Sequence, residues 1–151
     1  MNTVVYRRAE PEDIQSIADF QIAMAWETEQ LGLDSQICAR GVAAVFEDPS
    51  LGQFYVGERD SRVVCSILIT YEWSDWRNGV VWWIQSVYVV PDLRRQGIYS
   101  GLYLYVKGLA GADSRVRGIR LYVDGQNVRA QEVYARLGMN GDHYKVYEWM
   151  K

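Results

Sequence analysis

Two kinds of hydrophobic pattern alternate along this chain. Short segments rich in Val, Ile, Tyr and Trp predict strands over Thr3 to Arg8, Gln53 to Glu58, Val63 to Trp73, Val80 to Val90, Ile119 to Asp124 and Tyr144 to Met150. Apolar residues at helical spacing predict helices that open at Ala9 to Asp13 and that run over Ser35 to Phe46, Arg95 to Leu109 and Asn127 to Leu137. The predicted order is β-α-α-β-β-β-α-β-α-β, an α/β fold with a mixed sheet and helices on both faces.

A hairpin is predicted between the third and fourth strands. Asn78-Gly79 separates them, and both residue types tolerate positive φ. If these two residues form the centre of the turn, Arg77 pairs with Val80. The register of the whole hairpin then follows from that pair.

Length, composition and charge narrow the class of protein. The 151 residues fit one domain over 1–151, and 49% apolar with 23% charged residues excludes a disordered chain. Sixteen basic against nineteen acidic residues give a net charge of −3, which argues against a nucleic-acid partner or an anionic membrane surface. No segment has the pattern of a secretion signal or a membrane helix.

The cysteine and histidine content bears on location and on metals. Cys38 and Cys65 stand far apart and form no CxxC pattern, so we expect reduced thiols and a cytoplasmic protein. The single histidine, His143, offers no multi-histidine metal site, and we expect no metal.

The segment 87–100 carries the clearest chemical signal. A buried strand ends at Pro91, a basic turn with Gly97 follows, and a helix begins directly after it. Backbone N–H groups and the dipole at such a helix start favour an anion, and glycine lets the anion approach the backbone closely. Arg94 and Arg95 add formal charge. The segment predicts a pyrophosphate cradle that is neither a P-loop nor a GxGxxG fingerprint.

Two blocks of sequence resemble the GNAT superfamily of acyl-CoA-dependent N-acetyltransferases. Arg94-x-x-Gly97-x-Tyr99 is similar to its coenzyme A motif (Gln/Arg)-x-x-Gly-x-(Gly/Ala), with Tyr99 where Gly or Ala is usual. Downstream, the strand-Asn-helix-Tyr region of the family is matched by Leu121-Tyr122-Val123, Asn127, Ala130, Tyr134 and Leu137-Gly138-Met139.

The resemblance implies a mostly antiparallel sheet and transfer of an acetyl group from acetyl-CoA to a primary amine by direct attack, and we expect this amine to belong to a small molecule. It assigns cofactor binding to Val87, Tyr88, Val89, Arg94, Arg95, Gln96, Gly97, Ile98, Tyr99, Ser100 and Asn127. A backbone N–H of Val87 to Val89 would polarise the acetyl carbonyl, and Asn127 would cap its helix. Tyr134 would protonate the departing thiolate; taken alone, it could equally be a packed aromatic residue.

The general base departs from the pattern of the family. Many relatives carry a Glu on the fourth strand where this chain has Trp83. With Asn78-Gly79 as the turn, Glu72 pairs with Gln85 and lies beside Trp83 on the face of Val87. Glu72 is therefore a candidate base, directly or through a water; the alternative is an edge carboxylate without a role.

The acceptor site is the least determined part. Glu27 and Glu29, at the end of the first helix, could attract an amine together with Trp83 and Gln85; two acids at a helix end are otherwise simply solvated. The tryptophans around the hairpin form either an aromatic acceptor pocket or a packing or dimer surface, and they are Trp73, Trp76, Trp82 and Trp83.

Three alternatives to small-molecule acetylation stay open. One is a protein N-terminal or lysine acetyltransferase. Another is a CoA-binding sensor or assembly module without catalysis. The third is a generic nucleotide-phosphate binder.

Overall fold

The computed structural model describes residues 3–151 and contains five strands and four α-helices. The strands are β1 (Val5–Arg8), β2 (Gln53–Arg59), β3 (Arg62–Ser74), β4 (Gly79–Val89) and β5 (Val116–Arg120). The helices are α1 (Ile14–Glu29), α2 (Ser35–Glu47), α3 (Ile98–Ala112) and α4 (Val128–Arg136). Short 3₁₀ turns, Pro11–Asp13 and Pro91–Leu93, precede α1 and the loop before α3.

Two compact units divide the chain, residues 3–120 and 121–151. The first holds the whole sheet and α1 to α3, and the second holds α4. The single domain over 1–151 therefore stays a prediction.

The sheet has the strand order β1-β2-β3-β4-β5. The pairs β1–β2, β2–β3 and β3–β4 are antiparallel, and the pair β4–β5 is parallel. A parallel pair needs a crossover connection, and α3 supplies it. The predicted mixed, mostly antiparallel sheet is confirmed.

Helices cover both faces of this sheet in the first unit. Phe54 and Val56 of β2 pack with Ile17 of α1 and Val42 of α2. Tyr55, between them in sequence, meets an aromatic ring of α3. Because successive strand residues point to opposite faces, α1 and α2 lie on one side of the sheet and α3 on the other.

Two predicted strands differ from the structure. Tyr144 to Met150 forms no strand, and every residue there is exposed. Its alternation of aromatic and polar residues fits a strand, but a strand forms only with a hydrogen-bonded neighbour, which a local pattern cannot supply. The fifth strand is Val116–Arg120, so the predicted range Ile119 to Asp124 ends four residues too late.

The hairpin exists, but its turn is longer than predicted. Ser74 pairs with Gly79, so the turn comprises 75–78, and Glu72 lies opposite Val81 rather than Gln85. Gly79 is a strand residue: a Cβ there would meet the carbonyl oxygen of Arg115 at 2.7 Å. The glycine is required by close approach of the backbone to β5, and not by the turn.

A β-bulge changes which residues share a face with Val87. Ile69 pairs with Ile84, whereas Ile67 pairs with Val87, so β4 has one extra residue between these pairs. Paired residues share a face, and Ile67 and Ile69 lie on the same side of β3. Val87 therefore lies on the α3 side, opposite to Glu72, and the prediction that they share a face is wrong.

Candidate active site

The loop before α3 has the backbone geometry of an anion cradle. After Pro91–Leu93, Arg95 and Gly97 both adopt left-handed conformations, with φ of 63° and 78°. No side chain caps the start of α3 at Ile98. The N–H groups of its first turn and the positive end of its dipole are thus available to a ligand. Gly97 has open space at its Cβ position.

Tyr6 fixes the start of α3 against the sheet. Its hydroxyl donates to the carbonyl of Ile98 at 2.9 Å, and its ring occupies the space beside Gly101. A side chain at Gly101 would collide with this ring. β1 therefore holds the cradle in place. Burial raises the pKa of the Tyr6 phenol.

The strand that leads into the cradle has an open edge. Pairing between β4 and β5 ends at Trp83 and Arg120. From Ile84 to Val89, β4 pairs only with β3 among the described strands. We refer to 84–89 as the open stretch of β4. It contains the three residues predicted to bind the pantetheine through their backbone.

Arg94 is directed toward α1. Its Nη2 forms an ion pair with Glu27 at 2.7 Å, its Nε donates to the Val89 carbonyl at 2.8 Å, and its guanidinium lies over the Tyr88 ring at 5.2 Å. The Tyr88 hydroxyl donates to Glu27 at 3.1 Å. Burial, reinforced by Glu27, raises the pKa of Tyr88. In this Glu27–Tyr88–Arg94 cluster, Arg94, which was expected to bind a phosphate, neutralises Glu27, which was expected to bind an amine.

The second carboxylate predicted near the acceptor, Glu29, ends α1 and is exposed. It takes no part in the cluster around Arg94.

Glu72 lies at the end of the β4–β5 pairing. Its two carboxylate oxygens accept hydrogen bonds from the Trp83 indole at 3.0 Å and from Arg120 at 2.7 Å. The side chains of Glu72 and Arg120 are 38% and 32% exposed, so solvent and small solutes reach them. Glu72 does lie beside Trp83 as predicted. Sequence reasoning missed Arg120, because its parallel pairing with β4 has no local signature.

Gln85 lies within the open stretch, two residues beyond Trp83. Its amide donates to the Thr70 hydroxyl at 3.0 Å, which places it on the face of Glu72. Both residues predicted beside the acceptor on β4, Trp83 and Gln85, therefore share one face.

The tryptophans near the hairpin do not share a surface. Trp82 is buried against Tyr71, and Trp83 points to the opposite face by strand alternation. Trp73 and Trp76 are 63% and 91% exposed. Only Trp83 of the four lines the Glu72 site.

In the second unit, Asn127 caps α4 as the resemblance implied. Its side-chain oxygen accepts the N–H of Ala130 at 3.1 Å. Gly138, with φ of 87°, stops the chain from continuing as a helix. Tyr134 is half-buried on α4. Its role and the cofactor contact of Asn127 stay predictions.

The chain contains no helix, within residues 3–151, that is long and apolar enough to cross a membrane.

The fourth strand of the mixed sheet parts from the fifth and leads into a glycine-containing helix start, which defines an α/β fold with an open strand edge next to an anion-binding helix end. The chain belongs to the acetyltransferase (GNAT) family, which residues 12–139 match. The predicted fold class and family are therefore confirmed.

Individual relatives agree with this assignment. A possible acetyltransferase from Clostridium difficile 630 is 40% identical, with a TM-score of 0.92 over 98% of this chain and 97% of that one. The aminoglycoside N-acetyltransferase AAC(6')-Iy, in complex with CoA, is 11% identical and shares the fold, with a TM-score of 0.82 over 100% of this chain and 97% of that one. Mycothiol acetyltransferase of Kineococcus radiotolerans is 30% identical over 118 residues, and the match spans 71% of this chain but 39% of that protein.

Proposed function

We propose that this protein transfers the acetyl group of acetyl-CoA to a primary amine of a small molecule. The observation that carries the proposal is the continuity of residues 84–100: an open strand edge leads directly into a helix start with two left-handed residues and no side-chain cap. An edge that can pair with amides, followed by a site for a diphosphate, fits the two halves of a CoA molecule.

The residues of the first unit fit this cofactor by charge and by space. The first turn of α3 and the open volume at Gly97 suit the diphosphate, and Arg95 adds an exposed positive charge. Acetyl-CoA, when bound, supplies the thioester. The backbone of Val87 and Val89 would hold the pantetheine arm, and an N–H of this stretch would hydrogen-bond the thioester carbonyl.

The proposed transfer needs three proton movements, because an ammonium group loses two protons on becoming an amide and the sulfur gains one. The amine nitrogen forms a bond to the carbonyl carbon, and the bond from that carbon to sulfur breaks. Glu72, directly or through a water, takes the proton that the ammonium group must lose. Tyr134 gives a proton to the departing sulfur, and the second proton that the attacking nitrogen loses restores the Tyr134 hydroxyl through solvent. Each carboxylate oxygen of Glu72 accepts one hydrogen bond from Trp83 or Arg120 and keeps a second lone pair that can accept a proton.

Binding and turnover are tested separately. We expect CoA to bind and to raise the melting temperature, with ATP and NAD giving no such rise. Stabilisation by all three ligands would instead identify a generic phosphate binder. Thiol release from acetyl-CoA should then occur with members of a panel of polyamines, amino acids, aminoglycosides and peptides, above hydrolysis without acceptor. CoA binding with no thiol release across the panel would contradict catalysis and favour a binding module, whereas release with peptides alone would identify a protein acetyltransferase.

We also propose a cytoplasmic location. Its support is the pair of free thiols, with Cys65 buried and Cys38 half-buried.

A further inference from the structure

Glu72 and Arg120 form an ion pair across β4, at the last residue pair before the open stretch. Glu72 belongs to β3 and Arg120 to β5, so their side chains meet over the β4 backbone next to Trp83. On the face of this pair, β4 presents Trp83 and then Gln85, in the direction of the open stretch whose backbone is proposed to hold the thioester. An acceptor on this face would lie against both charges.

We propose that this pair recognises an acceptor with a carboxylate next to its amine, as in a free amino acid. The inference rests on the proposed function, whose acceptor class it narrows. The ammonium group would replace Arg120 at Glu72, and the ligand carboxylate would replace Glu72 at Arg120. Each charge exchanges one partner for another, and none is left alone.

An amine without a carboxylate lacks this exchange. Its ammonium group could bind Glu72, but it would bring no carboxylate to Arg120. The arginine fork would then lack the two charge-assisted hydrogen bonds that a ligand carboxylate supplies. The pair therefore favours zwitterions over plain amines.

The exposure of the pair makes the exchange feasible. Both side chains are about one-third accessible, and ion pairs of this exposure contribute little to stability. Opening the pair thus costs little, while the arginine fork can bind a carboxylate through two parallel hydrogen bonds. In an α-amino acid the amine and the carboxylate are attached to the same carbon atom, so one ligand can contact two side chains that lie within hydrogen-bond distance of each other.

The Glu27–Arg94 pair is less suited to this task. Arg94 is also bound to the Val89 carbonyl and lies over Tyr88, and it belongs to the loop that is proposed to hold the cofactor. Exchanging its partners would disturb that loop.

Matched acceptors test the proposal. Histidine, histamine and histidinamide differ in the carboxylate, and phenylalanine, phenethylamine and phenylalaninamide form a second set. In the native protein, kcat/KM for the acid should exceed that for the amine and the amide by about tenfold or more. The ratio should fall toward one in Arg120→Gln and be partly restored in Arg120→Lys. In Arg115→Gln, which breaks an exposed ion pair with Asp113, the ratio should stay as in the native protein.

Calorimetry with CoA, which carries no acetyl group, gives a readout without turnover. Histidine should bind the CoA-loaded native protein at least about tenfold more tightly than histamine, and Arg120→Gln should remove the difference. Equal binding and equal rates for acid and amine in the native protein, or a preference that survives in Arg120→Gln, would overturn the proposal. Arg120-dependent binding of histidine without thiol release from any acceptor would leave the site intact and refute the proposed transfer instead.

Discussion

Gly97 offers a direct test of the proposed diphosphate site, because its substitution separates backbone strain from ligand exclusion. Its φ of 78° is a conformation that costs a residue with a Cβ about 1–2 kcal/mol. A Cβ at this position has nothing within 4 Å, so no steric cost is added in the free protein. Gly97→Ala should therefore lower the melting temperature by only about 2–8 °C for a chain of this size.

The effect on CoA affinity should be larger than this strain predicts. Strain lowers the folded fraction, but it does not by itself weaken binding to molecules that remain folded. If the diphosphate lies against Gly97, the added Cβ occupies its place, and calorimetry should show a loss of about tenfold or more in CoA affinity. Gly97→Asn, which tolerates the left-handed conformation better, should recover stability but not affinity.

Gly108 is the matched control for Gly97. It lies on the exposed side of α3 with nothing within 4 Å of its Cβ position. Gly108→Ala should stabilise the helix by about 0.5–1 kcal/mol and leave CoA affinity unchanged. A Gly97→Ala protein that binds CoA as tightly as the native protein would refute the placement of the diphosphate at this helix start.

Three further predictions concern a proton donor, a charged pair and the thiols. Tyr134→Phe should retain CoA binding and lower kcat by about 10²–10⁴, and native turnover in this variant would exclude a proton-donor role. Burial alone raises the pKa of Asp13, but hydrogen bonds from Arg7 and the Glu10 backbone outweigh it and lower this pKa. The stabilisation by ionised Asp13 is complete above the ordinary aspartate pKa of about 3.9 and is lost as the pH falls through the lowered pKa. In Asp13→Asn, the free energy of unfolding measured by chemical denaturation should therefore fall less steeply at acidic pH. An unchanged pH dependence would count against the contribution of Asp13. Burial raises the pKa of Cys65 to about 12, so a disulfide reagent at pH 8 should leave this thiol unmodified until denaturant is added, and rapid labelling in the native protein would contradict its burial.

Local patterns were sufficient to predict most of the elements. The helix over Ser35 to Phe46 and the strand over Gln53 to Glu58 agree with α2 and β2 within one residue at each end. Asp34 explains the sharp start of α2, since its carboxylate accepts two backbone N–H groups of the first turn. Such signals are contained within a few residues, and a sequence displays them directly.

Long-range pairing accounts for what sequence reasoning missed. The sequence predicts Gly79 as a turn residue. In the structure, its lack of a side chain allows the backbone of Arg115, which is distant in sequence, to approach. The bulge between Ile84 and Val87 adds one residue with no distinctive composition. It nevertheless moves the side chains of the following β4 residues to the face opposite to the predicted one. The partnership of Glu72 with Arg120 joins residues that only the completed sheet brings together.

These corrections give the acceptor face a different electrostatic character from the one predicted. Glu27 and Glu72, taken from the sequence as acidic groups that await an amine, are each paired with an arginine at 2.7 Å. The two pairs stand near opposite ends of the open stretch of β4, and Tyr88 and Glu72 lie on the same face by their pairing with β3. Attraction of a cation by unbalanced negative charge is therefore a poor basis for acceptor choice here. The proposed exchange makes selection depend on whether a ligand replaces both partners of a pair that it opens, so matched acceptors that differ in one charge are more informative than a survey of amine basicity.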